Sequence, residues 1–186
     1  GGATRRPAPP RTAVRIIQTN AAGDDSHVID PATNRVVGVI RDIEIPHGVT
    51  SAPDGSRVYI SNESLHTLDV VDSLTLKVVR RIPLSGRPNN VAVGKDGRRV
   101  FVGIMQAPGA VDVIDTASLT NARTIPVTGA IHNIYVTPDG RYAVAGSIQT
   151  RTINVIDTDG VVLATNPARF GQATAGNGIA FNNGKS

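Results

Sequence analysis

Apolar residues recur along this chain in short bursts, and no helical period of 3.6 lasts for two turns. Val49 to Ala52 is a run of small and apolar residues ended by Pro53-Asp54-Gly55, a turn signal. Arg57-Val58-Tyr59-Ile60 then alternates polar and apolar positions, the pattern of a half-buried strand. Leu68 to Val71 follows and stops at Asp72, whose carboxylate can accept hydrogen bonds from the backbone of the turn after it. Lys77 to Ile82 completes the set and Pro83 closes it. β-Branched residues dominate all four segments, so each is expected to be a strand.

The unit repeats. Val28-Ile29-Asp30 returns as Val70-Val71-Asp72, Val113-Ile114-Asp115 and Val155-Ile156-Asp157, with aspartates 42, 43 and 42 residues apart. Asp54-Gly55 returns independently as Asp96-Gly97 and Asp139-Gly140, at spacings of 42 and 43. Four strands in one such period is the size of a propeller blade. The expected fold is therefore all-β, a β-propeller of four-stranded antiparallel blades occupying residues 13–186 as one domain. Residues 1–12, rich in Arg and Pro and without an apolar export-signal core, are expected to form a disordered tail.

The quoted stretches "PHGVTSAPDGSRVYISN" and "VIDPATNRVVGVI" resemble the YVTN-family β-propeller repeat, and Ile17-Gln18-Thr19-Asn20 stands where that family's tetrapeptide falls. The resemblance covers roughly Val14 to Asp157. It implies a radial ring with the Val49-type strand innermost, and kinship with lactonase-like and quinoprotein-like propellers. Those chemistries differ widely, so the kinship does not itself assign a function.

The family usually closes seven blades, which needs about 300 residues at this period. This chain begins with second-, third- and fourth-type strands (Val14 to Thr19, a strand ending at Asp30, and Arg35 to Ile40) and finishes with a first-type strand, Gly178 to Phe181. Four blades closed by the N-terminal outer strands plus that C-terminal inner strand is the expected architecture; the alternative is a partial copy of a seven-bladed propeller. A closed ring would be monomeric, and open edges would favour an oligomer.

Charge narrows the function classes. The chain carries 19 cations and 15 anions, but Arg5, Arg6, Arg11 and Arg15 all precede the first acid, Asp24, so the excess of +4 belongs to the N-terminal segment. With a neutral remainder and only 3% aromatic residues, nucleic-acid binding is not expected. No apolar run approaches the length of a membrane span. The absence of Cys excludes disulfides, thiolate metal sites and Cys nucleophiles. It is compatible with the periplasmic or extracellular location that the resemblance suggests.

Aligning the repeats places His47, Asn89, His132 and Asn177 at one position, the start of the innermost strand. These residues are the candidate ligand-binding set at one mouth of the central channel, with His47 and His132 expected to face each other. Neutral imidazoles converging there could bind a divalent transition metal, copper or zinc, and the resemblance adds that related propellers hold copper at the axis with histidines. No carboxylate occupies the equivalent position, so the leading expectation is no cofactor, with polar residues capping strand ends. The repeated aspartates read as turn caps. His66 and Glu63 read as members of a solvated loop.

No nucleophile elbow, phosphate-cradling loop or zinc helix is present, and no catalytic residue is assigned. The resulting expectation is a noncatalytic scaffold for an unknown protein or small polar ligand. The alternatives are a metal-assisted lactonase-like hydrolase or redox enzyme using the channel histidines, and a truncated propeller without independent function.

Overall fold

The computed structural model describes residues 14–158 and 162–167. Fifteen strands and no helix occur among them, so no described helix is long and apolar enough to cross a membrane. The first sheet has three strands, β1 (Ile16–Thr19), β2 (Ser26–Asp30) and β3 (Arg35–Ile40). Three four-stranded sheets follow in chain order: β4 (Pro46–Ser51), β5 (Arg57–Asn62), β6 (Thr67–Asp72) and β7 (Val78–Pro83); β8 (Pro88–Val93), β9 (Arg99–Ile104), β10 (Ala110–Asp115) and β11 (Thr120–Pro126); β12 (Asn133–Val136), β13 (Tyr142–Ser147), β14 (Thr152–Asp157) and β15 (Val162–Pro167). Every pairing is antiparallel between sequence neighbours. This is the expected all-β meander. The strand expected at Gly178 to Phe181 and the tail at 1–12 lie outside the described residues, and no sheet closes a ring among those described.

The core consists of layers between sheets. Val28 and Ile40 meet Val58, Ile60 and Val71; Tyr59, Leu68 and Val70 meet Val91, Val100 and Val102; Phe101, Val111 and Val113 meet Ile134, Ala143 and Ile156. This explains why β5 departs from the half-buried alternation expected of it. Val58 through Asn62 are all buried, because the sheet is covered on both faces by its neighbours.

The Val-Ile-Asp triplet has a structural cause. In all four sheets a bulge falls inside it, at Val28/Ile29, Val70/Val71, Val113/Ile114 and Val155/Ile156. The extra residue stands on the outermost strand, which accounts for the exposed Val37, Val79 and Leu163. Bulges of this kind increase local twist. The aspartate then caps the turn: Asp72 accepts from the backbone N–H groups of Leu74 (3.1 Å) and Thr75 (2.8 Å), and Asp115 from those of Ala117 (3.0 Å) and Ser118 (2.7 Å).

A second repeated position, within the Leu68-type strand, braces sheet to sheet. Asp69, Asp112 and Asn154 are fully buried. Asp112 accepts from Ser85 N (2.7 Å) and Ser85 Oγ (2.9 Å) in the preceding connection, and from Thr124 Oγ1 (2.7 Å). Asn154 reaches back in the same way to both backbone groups of Thr128. Asp69 is held by Thr67, Asn62 and Arg81, and the Arg81 guanidinium continues to the carbonyl of Asp42 in the preceding connection.

Candidate functional site

The end of the sheets expected to form the channel mouth is built where inner strands begin and their partner strands end. Pro46 pairs with Asn62, but the register then slips by a bulge before Val49 meets Ile60, which releases His47 and Gly48 from the regular ladder. The same slip between Pro88 and Val91 releases Asn89 and Asn90. Gly48 is required by close approach. Its N–H donates to Ser61 Oγ (2.7 Å), that hydroxyl donates to the carbonyl of Asn89 on the next sheet (2.5 Å), and a Cβ on Gly48 would stand 2.6 Å from the Asn89 oxygen. Thr19, one period before Ser61, donates likewise to the His47 carbonyl (2.8 Å). The starts of the inner strands are thereby drawn together at this end.

Three of the four aligned polar residues consequently meet. The rings of His47 and His132 approach edge to face, 6.3 Å between centroids with planes at 87°. Asn89, buried, lies beside them; its amide nitrogen is 3.3 Å from His47 Nδ1 and 3.1 Å from the thioether sulfur of Met105. His132 donates its backbone N–H to Gly146 (3.0 Å), while its Nδ1 is buried and has no hydrogen-bond partner among the described residues. Asn177 lies outside the described residues.

Two side chains of this mouth were not among the residues aligned from sequence. The Glu63 carboxylate forms a short contact with His47 Nδ1, where the sequence had associated Glu63 with His66. Met105 is the only methionine in the chain. Both are found by asking which residue follows the second strand of each blade. Glu63, Met105 and Ile148 occupy that one repeat position, and antiparallel pairing sets it beside the start of the inner strand. Ile45, Leu65 and Ile148, on connections at this end, are exposed.

The opposite end has other chemistry. Asp54, Asp96 and Asp139 cap the turns there, accepting from the backbone N–H groups of Ser56 (2.9 Å), Arg98 (3.0 Å) and Arg141 (3.0 Å). Bonds from Ser56 hold the Asp54 carboxyl below its ordinary value, and the Thr137 hydroxyl does the same for Asp139. Turn bonds from Thr75 and Ser118 similarly lower Asp72 and Asp115. Arg57 and Arg99 donate across the boundaries between sheets to the carbonyls of Thr116 and Thr158. The acids are thus spent locally, and no group of three or more His, Asp or Glu side chains capable of holding a metal ion occurs among the described residues.

Comparison with known proteins identifies the relationships of this scaffold. The family model described as the Cytochrome D1 heme domain, an eight-bladed propeller family, matches residues 16–175. Among solved structures, hydrazine synthase from Kuenenia stuttgartiensis is similar at a TM-score of 0.77 and 23% identity, over 81% of this chain and 45% of that one. The dihydro-heme d1 dehydrogenase NirN in complex with DHE is similar at a TM-score of 0.66 and 20% identity, over 87% of this chain and 37% of that one. No curated protein matches. The chain spans less than half the length of either structure, and its sheets correspond to part of a larger propeller.

These matches refine two expectations and overturn a third. The resemblance to YVTN repeats holds at the level of the propeller superfamily, whereas the matching family is a different one. Relation to a heme-domain family fits the redox alternative in part, and the comparisons give no support to a noncatalytic scaffold. The expectation of no cofactor, or of copper or zinc at His47 and His132, is contradicted: the matching family model is a heme domain, and one similar structure is a dihydro-heme d1 dehydrogenase. The physical reason is that a bare ion needs three or four protein donors, whereas an iron already held by a tetrapyrrole needs only one or two.

Proposed function

The chain belongs to the Cytochrome D1 heme domain family, and from that premise we propose that its histidine mouth binds a haem-type tetrapyrrole in a redox or haem-handling role. The observation that carries this reading is the edge-to-face approach of His47 and His132 at one channel mouth. The donor set suits such a group. Imidazole is a common axial ligand of haem iron, and thioether sulfur is another; His47, His132 and Met105 bring both kinds of donor to one place. His132 Nδ1 is buried with no partner among the described residues, a state that costs about 1–3 kcal/mol for an unsatisfied polar atom and favours a ligand that satisfies it. Exposed Ile45, Leu65 and Ile148 supply apolar contact for a macrocycle.

His47 and His132 are the residues that would hold the group, with the buried Asn89 packed beside the first of them. When bound, the group supplies the electron-transfer chemistry of its iron, which no side chain of this mouth provides.

The test is titration of the 186-residue chain with ferric protohaem, read from the Soret band. A saturable shift is expected for the wild type, with affinity about tenfold weaker, equivalent to about 1.4 kcal/mol, in either His47→Ala or His132→Ala. Equal binding by the wild type and by the double variant would place any haem elsewhere and overturn the reading.

A further inference from the structure

We infer that Glu63 is a positioning residue that holds the proton of His47 on Nδ1 and so leaves Nε2 as the lone-pair nitrogen. As an account of a haem ligand it rests on the function proposed above; as an account of the imidazole it stands on geometry. An ionised carboxylate can only accept hydrogen bonds, so in its short contact with His47 the ring nitrogen must be the donor. With Nδ1 protonated, a neutral imidazole keeps its lone pair on Nε2. Carboxylate–histidine pairs of this kind orient metal-binding imidazoles and raise their basicity.

The surroundings leave Glu63 this role. Its side chain is 11% exposed, against 39% for His47, so the carboxylate lies behind the ring. Among the described residues Glu63 makes no ion pair with Lys or Arg, and its ion pair is with His47. Two other groups approach the ring: the His132 ring, at 6.3 Å between centroids, and the Asn89 amide nitrogen, at 3.3 Å from Nδ1. That amide nitrogen can only donate and so competes for the same ring nitrogen, but the carboxylate contact is much the shorter and decides where the proton sits. The repeat sharpens the point. Glu63, Met105 and Ile148 hold one position beside His47, Asn89 and His132 in turn. Among the described residues only His47 of the two histidines therefore has a carboxylate, while His132 Nδ1 has no partner. The two imidazoles at one mouth are chemically unequal.

Long-range ¹⁵N–¹H NMR of the full chain without haem reads the tautomer directly, with His132 as an internal comparison. His47 is expected to show a protonated Nδ1 and a bare Nε2. Glu63→Gln is expected to erase that preference, since its amide can either accept or donate, and to leave the His132 signals in place. A wild-type His47 carrying its proton on Nε2, or a Glu63→Gln spectrum unchanged at His47, would overturn the inference. The wild-type spectrum decides the first of these even if the variant folds poorly.

Ferric protohaem is then added. A higher midpoint potential in Glu63→Gln is expected, because a less basic imidazole stabilises ferric iron less, whereas a merely structural glutamate would leave the potential unchanged. An unchanged potential would overturn the role of Glu63 in ligand tuning. If the wild type fails to take up haem, the proposed function falls, while the tautomer measurement still decides what Glu63 does to His47.

Discussion

Asp112 offers the clearest test of how the blades cohere. Its carboxylate is fully buried and accepts three hydrogen bonds: from the Ser85 N–H at 2.7 Å, the Ser85 hydroxyl at 2.9 Å and the Thr124 hydroxyl at 2.7 Å. Two of these donors belong to the connection leaving the preceding sheet, so the carboxylate ties one blade to the next. Each hydrogen bond to a charged group contributes about 1.5–3 kcal/mol. Ser85 and Thr124 are themselves exposed, and without Asp112 their donors can turn to water. The net cost of Asp112→Ala is therefore well below the sum of the three, about 2–3 kcal/mol. For a chain of this size that corresponds to a fall in Tm of about 4–12 °C.

Asp112→Asn is expected to cost less, about 1 kcal/mol. The protein already places Asn154 at this position one blade on, where its Oδ1 accepts from Thr128 N (3.2 Å) and Thr165 Oγ1 (2.9 Å). Urea unfolding of the three proteins measures both differences, with unchanged m-values showing that the folded and unfolded states are comparable. An Asp112→Ala variant within about 0.5 kcal/mol of wild type would refute the bracing argument. So would an Asn variant that loses as much as the Ala one.

Two further outcomes follow from the same structure. Gly48→Ala forces a Cβ to within 2.6 Å of the Asn89 oxygen and 2.7 Å of Asn90 Cα, so it should destabilise by about 1–3 kcal/mol in thermal unfolding and disturb the His47 resonances; an unchanged melting temperature would show that the mouth is looser than drawn. Asp54, Asp72, Asp115 and Asp139 are held below the ordinary aspartate value of 3.8 by turn hydrogen bonds. Because these carboxyls bind protons less readily when folded, their stabilisation is complete above that value and is lost as pH falls through their lower folded values. Stability measured by urea unfolding should therefore hold down to about pH 5 and decline below about 4, with a shallower decline when all four are replaced by Asn.

The candidate site was half legible in the sequence. Aligning the repeats brought His47, Asn89 and His132 to one position, and folding does gather them, because a repeat position maps to the same height on every blade. Glu63 was misassigned since it lies three residues from His66 in sequence but beside His47 in space. His66, at φ 53°, turns the chain between β5 and β6, and the end of β5 returns Glu63 to the start of β4. Asp69, Asp112 and Asn154 escaped notice for a related reason. A polar residue between apolar ones reads as the solvent face of a strand, and only a sheet covered on both sides turns it into a buried brace.

What the sequence determined by itself was whatever recurs or acts locally: the 42–43-residue period, the four strands within it, the capped turns and the neutrality beyond the N-terminal arginines. These depend on patterns a few residues long, repeated until chance is excluded. What only the tertiary structure decided was which side chains face one another. The meeting of His47 with Glu63 and His132 depends on strand register, on bulges that free the inner-strand starts, and on a glycine that lets neighbouring backbones approach. Those contacts join residues 16 to 85 positions apart, and nothing in a local pattern sets their distances.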